Sequence, residues 1–196
     1  MSLPLKKFFV ALTFALIVTN FCEAAEFTRE HVDRMMTLTL QNPAVKKSAT
    51  LPVDAETFRR NYNDFITNFI RGTSAGTDAF MMERIFLIDG LKIFTRDGSE
   101  LFAKNFINKV AIVGLIDGGK CKVLNIFAAP LEDQNDALFN VLILQGFING
   151  ISPGLDATAL LDEIKRSPVE SATYNGVRYS VIRDGDLSIV TAVAAQ

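Results

Sequence analysis

The sequence predicts an α+β fold in which a single antiparallel sheet of about five to seven strands carries two or three helices, all following an N-terminal export signal. Two observations lead there. Short apolar runs are punctuated by Asp-Gly and Asn-Gly pairs, whose access to positive φ suits tight hairpins and makes chain neighbours antiparallel. Helical patterns come before and between blocks of strands rather than after every strand, which is the order of an α+β chain.

The first segment is the export signal. Lys6 and Lys7 form a short positive region, and Phe8 to Val18 follow as an apolar run of about eleven residues broken only by Thr13. Cys22-Glu23-Ala24 places small side chains at both positions a signal peptidase reads, so cleavage is expected after Ala24 or one residue later. The run falls short of the roughly 20 apolar residues that cross a bilayer. Phe21 directly before Cys22, and Thr19 three residues before it, do not suit lipid attachment. Residues 1–24 therefore read as a removed signal. Residues 25–196 read as one soluble domain, exported to a periplasm or to the cell exterior, with no membrane span.

Composition bounds the partners. The chain has 20 Lys and Arg against 22 Asp and Glu, a net charge of −2. The basic pairs Lys46-Lys47 and Arg59-Arg60 are isolated and form no stripe, so nucleic acid is not expected as a partner. Cys121 is the only cysteine after the signal; an intramolecular disulfide is impossible and stability must come from burial. Most of the 16 Phe lie in the domain and Trp is absent, so Phe should fill much of the core. No Asn-x-Ser/Thr sequon occurs, which points to a bacterial envelope rather than a glycosylating pathway.

The elements follow in order. Phe27 to Leu40 suggests a short helix before Pro43. Asp54 is suited to cap a helix in which Phe58, Tyr62, Phe65, Ile66, Phe69 and Ile70 recur at helical spacing up to Gly72. Thr73 to Thr77 reads as a small-residue loop. Strands are expected at Arg84–Ile88, Leu91–Arg96, Leu101–Phe106, Val110–Ile116 and Lys120–Ala128, with turns at Asp89-Gly90, Asp97-Gly98 and Asp117-Gly118-Gly119. Ala137 to Ile151 leaves little polar face and reads as a largely buried helix; after Pro153-Gly154, Ala157–Arg166 is amphipathic. Two final hairpin signals, Asn175-Gly176 and Asp184-Gly185, surround strands at Val177–Arg183 and Leu187–Ala194.

One motif imitates a phosphate-binding loop. Gly114 to Lys120 has the spacing G-x-x-x-x-G-K, whose glycines would turn backbone N–H groups toward phosphate. The next position, which should carry a Ser or Thr hydroxyl for magnesium, is Cys121, a soft ligand. Lys120–Ala128 also reads as a strand, whereas a phosphate loop must open a helix. The expectation is a hairpin turn and no nucleotide cofactor.

Other candidates are weaker. His31 is the only histidine, which excludes a two-histidine metal site, and no G-x-S-x-G elbow accompanies it. Glu132, Asp133 and Asp136 lack calcium-loop spacing and suit the start of a helix. Asp184 and Asp186 flank a turn glycine. Cys121, between Lys120 and Lys122, is the one candidate reactive thiol, because nearby cations lower a thiol pKa. In a strand, though, those lysines point to the opposite face. No catalytic, cofactor or metal set is expected from these residues. The reading favoured is an exported, non-catalytic binding module for a protein partner or an apolar small ligand. The alternative is a small exported enzyme using carboxylates or Cys121.

Overall fold

The computed structural model describes residues 26–73, 77–107, 109–130 and 134–195; residues 1–24, expected from the sequence to be an export signal, lie outside them. Seven strands form one antiparallel sheet: β1 (Ile93–Arg96), β2 (Ser99–Phe106), β3 (Val110–Asp117), β4 (Lys120–Ala128), β5 (Ser171–Tyr174), β6 (Val177–Asp184) and β7 (Leu187–Ala194). Their order is β1-β2-β3-β4-β7-β6-β5. The first four meander. The chain then crosses to the far edge and returns through β6, so that β7 pairs with β4. Tight turns make the hairpins: Asp97-Gly98 and Asn175-Gly176 both take positive φ, as two-residue loops joining right-twisted strands require.

The helices are α1 (Arg29–Leu40), α2 (Ala55–Thr73), α3 (Thr77–Phe86), α4 (Gln134–Ile151) and α5 (Ala157–Arg166), with a 3-10 turn at Pro43–Lys46. An α+β chain with one antiparallel sheet is thus what the residues build, but with helices on both faces. Phe58, Tyr62, Phe86, Phe139, Phe147 and Ile164 of α2–α5 join Phe102, Ile112, Leu124 and Tyr179 of the sheet in the larger core. Met35 and Met36 of α1 cover Leu101, Val113, Val123, Phe127 and Ile189 on the other face. β3 and β4 are consequently buried on both faces, which is why they read as unbroken apolar runs rather than alternating ones. Beneath α1, Asn125 donates to Thr39 Oγ1 (2.9 Å) and accepts from Thr191 Oγ1 (2.7 Å), so this polar cluster between helix and sheet is satisfied.

Local chemistry explains the helix ends. Asp54 accepts from the Thr57 N–H (2.7 Å) and the Thr57 hydroxyl (2.9 Å), which holds its carboxyl below the usual range and caps α2. Asp156 caps α5 by accepting from the N–H groups of Thr158 and Ala159.

One expectation fails. Arg84–Ile88 is not a strand: Arg84 to Phe86 end α3, whose Met82 and Phe86 are buried one turn apart. Nor is Asp89-Gly90 a hairpin, because no strand precedes it. Side chains of α2 take the place of a neighbouring strand. Asn63 both donates to the Ile88 carbonyl and accepts from its N–H, each at 2.9 Å, and the Tyr62 hydroxyl donates to the Phe86 carbonyl at 3.0 Å. These bonds satisfy backbone groups that would otherwise need a sheet ladder.

Helices α2 and α4 approach closely. A Cβ placed on Gly146 would lie 2.7 Å from the Tyr62 ring, and one on Gly150 would lie 2.6 Å from the Phe58 ring. The two glycines, one turn apart, form a trough for the aromatic side chains of α2.

Candidate ligand-binding cleft

The other side of α4 is open. A cleft of about 880 Å³ lies between α4, α5 and the sheet. Val110, Ile126 and Val190 form its sheet wall, and Leu144, Leu161 and Ile164 its helical wall. Val141 and Ile182 at the rim are large apolar side chains about half exposed, at 54% and 49%. The opening follows from the shortness of β5, which pairs with β6 only as far as Ser180. Beyond it β6 continues through Val181 to Asp184 with no strand outside it among the described residues, where the Val181 N–H reaches across to the Glu170 carbonyl at 3.4 Å. α5 is held in place by its cap and by Gln145, whose Oε1 accepts from the Ala157 N–H (2.9 Å) and whose Nε2 donates to the Leu155 carbonyl (2.8 Å).

The polar groups are few and come from separate elements. Lys165 lines the cleft from the last turn of α5, Arg183 from β6, Glu170 from the turn before β5 and Asn140 from α4. Lys165 has an exposed partner in Asp162 at 3.7 Å, a weak tie. Arg183 forms no ion pair among the described residues. The Asn140 Oδ1 is shielded from solvent and accepts no hydrogen bond there either. An apolar hollow of this size with a few converging polar groups has the form of a small-molecule site, for which about 300–1,000 Å³ is usual.

The Gly114–Lys120 motif, Cys121 and His31, singled out from the sequence, lie elsewhere. Gly114 to Lys120 is the end of β3 and its hairpin into β4, turned by Gly118 and Gly119 at φ 56° and 79°. No helix follows. Gly114 has a packing role: a Cβ there would run into the Phe102 ring and lie 2.8 Å from Leu124 Cδ2. Cys121 is fully buried in the larger core, where removal from water, with a smaller contribution from the Asp54 charge, pushes its thiol up to about 12. Its neighbour Lys122 sits where the β3–β4 register shifts and pairs with Asp117 at 2.6 Å. Lys122 therefore spends its charge on Asp117, and the thiol behaves as a small apolar side chain at neutral pH.

His31 is exposed at the start of α1, with Nδ1 2.6 Å from the Thr28 hydroxyl and its ring 5.6 Å from that of Phe27. Asp184 accepts from Arg34 at 2.7 Å and ties β6 to α1; Asp186 sits in the turn before β7. Glu132 and Asp133 lie outside the described residues, and Asp136 falls in the first turn of α4. Among the described residues, no three His, Cys, Asp or Glu side chains gather as a metal site. None of their helices is long and apolar enough to cross a membrane.

The architecture and the cleft define a class by geometry alone: an antiparallel α+β protein with a ligand-sized hollow beside one helix. Comparisons with family models, curated proteins and solved structures give no significant match.

Proposed function

We propose that the chain is an exported binding module whose cleft holds an apolar small ligand. The carrying observation is the cleft itself, about 880 Å³ walled by Val110, Ile126, Val190, Leu144, Leu161 and Ile164. Burial of alkyl surface supplies the affinity, on the order of 25 cal/mol per Å² of apolar area removed from water before ordering costs. Among the described residues the ionisable side chains lining the cleft are Lys165, Glu170 and Arg183, and the single histidine is on α1 across the sheet. That arrangement favours retention of a ligand over its conversion.

Export rests on Lys6-Lys7, the Phe8–Val18 run and Cys22-Glu23-Ala24. Intact-mass measurement on protein from the exported fraction should find an N-terminus at Ala25 or Glu26. A product that keeps Met1 and partitions with membranes would contradict export. For the cleft, the purified protein should release apolar compounds on solvent extraction and take up an uncharged alkyl alcohol afterwards. A protein that binds no alkyl chain would contradict the ligand reading.

A further inference from the structure

We infer that the ligand is a single-chain amphipathic anion, an alkyl carboxylate, rather than a neutral or cationic apolar molecule. The inference rests on the cleft being a ligand site and adds the chemistry of the ligand's head. Two cations line the cleft from opposite walls, Lys165 from α5 and Arg183 from β6, against one acid, Glu170. Among the described residues the lining therefore carries one positive charge in excess, which matches a monoanion and leaves a phosphate dianion half compensated.

The two cations differ in what they can offer. Arg183 has no ion-pair partner among the described residues, so its planar guanidinium is free to take both oxygens of a carboxylate. Lys165 is held only by Asp162 at 3.7 Å, across solvent, and can turn from it to a ligand. The Asn140 carboxamide, which makes no hydrogen bond among the described residues, adds neutral polar capacity in the same lining. Behind these groups the walls are aliphatic: Val110, Ile126 and Val190 on one side, Leu144 and Ile164 on the other. No aromatic side chain among the described residues lines the hollow to favour a flat ring. An extended alkyl chain fits that lining, with its charged end at the rim.

Decanoate, decanol and decylamine share a chain and differ in the head. Each is titrated by calorimetry into delipidated protein at neutral pH, below the concentration at which it aggregates. Decanoate should bind about tenfold tighter than decanol, the size of one added charge-assisted hydrogen bond, and decylamine should bind most weakly. Adding salt should weaken decanoate and leave decanol unchanged. The double variant Lys165→Gln, Arg183→Gln changes two exposed side chains and should bring decanoate down to the affinity of decanol, without altering decanol itself. Equal binding of acid and alcohol, or a double variant that keeps the preference for the acid, overturns the anionic ligand while the apolar cleft stands. Failure of all three compounds to bind overturns the cleft as a ligand site and the anion with it.

Discussion

The two sides of α4 are built to opposite specifications. On one side Gly146 and Gly150 let Tyr62 and Phe58 lie so close that a Cβ on either glycine would come within 2.7 Å of a ring. On the other, Asn140, Val141 and Leu144 look onto a cleft of about 880 Å³. A helix with almost no polar face can therefore serve as core and as cleft wall at once, because its two sides meet different neighbours. On the tight side is another helix, α2. On the open side, β5 stops too early to close the sheet edge.

The contrast is sharpest in what truncation should do. Leu142 is buried in the larger core, 4% exposed, and does not line the cleft. Leu142→Ala should lower unfolding free energy by about 2–5 kcal/mol in a urea titration. A loss near zero would mean that this side of α4 is not packed. Gly150→Ala tests the same side from the opposite direction. The added methyl meets the Phe58 ring at 2.6 Å and the Phe58 carbonyl oxygen at 3.2 Å. Overpacking of about 1–3 kcal/mol should outweigh the roughly 1 kcal/mol that alanine gains over glycine within a helix. A stabilised variant would show the trough to be looser than drawn.

The tight core should also be legible in alkaline solution. The Cys121 thiol titrates near 12 when folded against 9.0 in its unburied reference. The unfolded chain therefore releases this proton first, and the contribution is present below pH 9 and lost as pH rises from there toward 12. By pH 10 the loss should be about 1.4 kcal/mol, and Cys121→Ala should remove that part of the slope. Burial raises Tyr62 and Tyr179 in the same sense, so a further decline above pH 10 should persist in the variant. A wild-type stability flat from pH 9 to 10 would mean that water reaches the thiol. The smallest effect belongs to Lys120, exposed at the β3–β4 turn. Lys120→Ala should change stability by no more than about 0.5 kcal/mol. ATP with magnesium should not shift the melting temperature of either protein; stabilisation that the variant abolishes would restore the phosphate-loop reading.

Most of this architecture is written locally. β7 and α5 keep the ends read from the sequence, and β2, β3, β4 and β6 keep theirs to within two residues, because turn pairs and caps mark their boundaries. α3 escaped because its buried pair, Met82 and Phe86, is flanked by exposed Phe80 and Met81, which blurs the helical period. What turns Phe86–Ile88 away from a sheet is supplied by Tyr62 and Asn63, more than 20 residues earlier. β5, four residues with two exposed, carries too little pattern to read. The cleft was half visible. The excess of apolar residues in 137–151 pointed to a largely buried helix, yet Lys165, Glu170 and Arg183 share no spacing and meet only through the crossover that brings β6 beside β7.

The account turns on α4 having one packed side and one binding side. Leu142→Ala and Leu144→Ala, compared for urea midpoint and for decanol affinity in delipidated protein, test that most directly. Leu144 is only partly buried and lines the cleft. Its truncation should cost less than about 1.5 kcal/mol of stability while weakening decanol about tenfold. Leu142→Ala should lose several times more stability and keep decanol affinity within about twofold. Equal losses of stability, with decanol binding unchanged in both variants, would contradict the division of the helix and leave the cleft a surface hollow without a ligand.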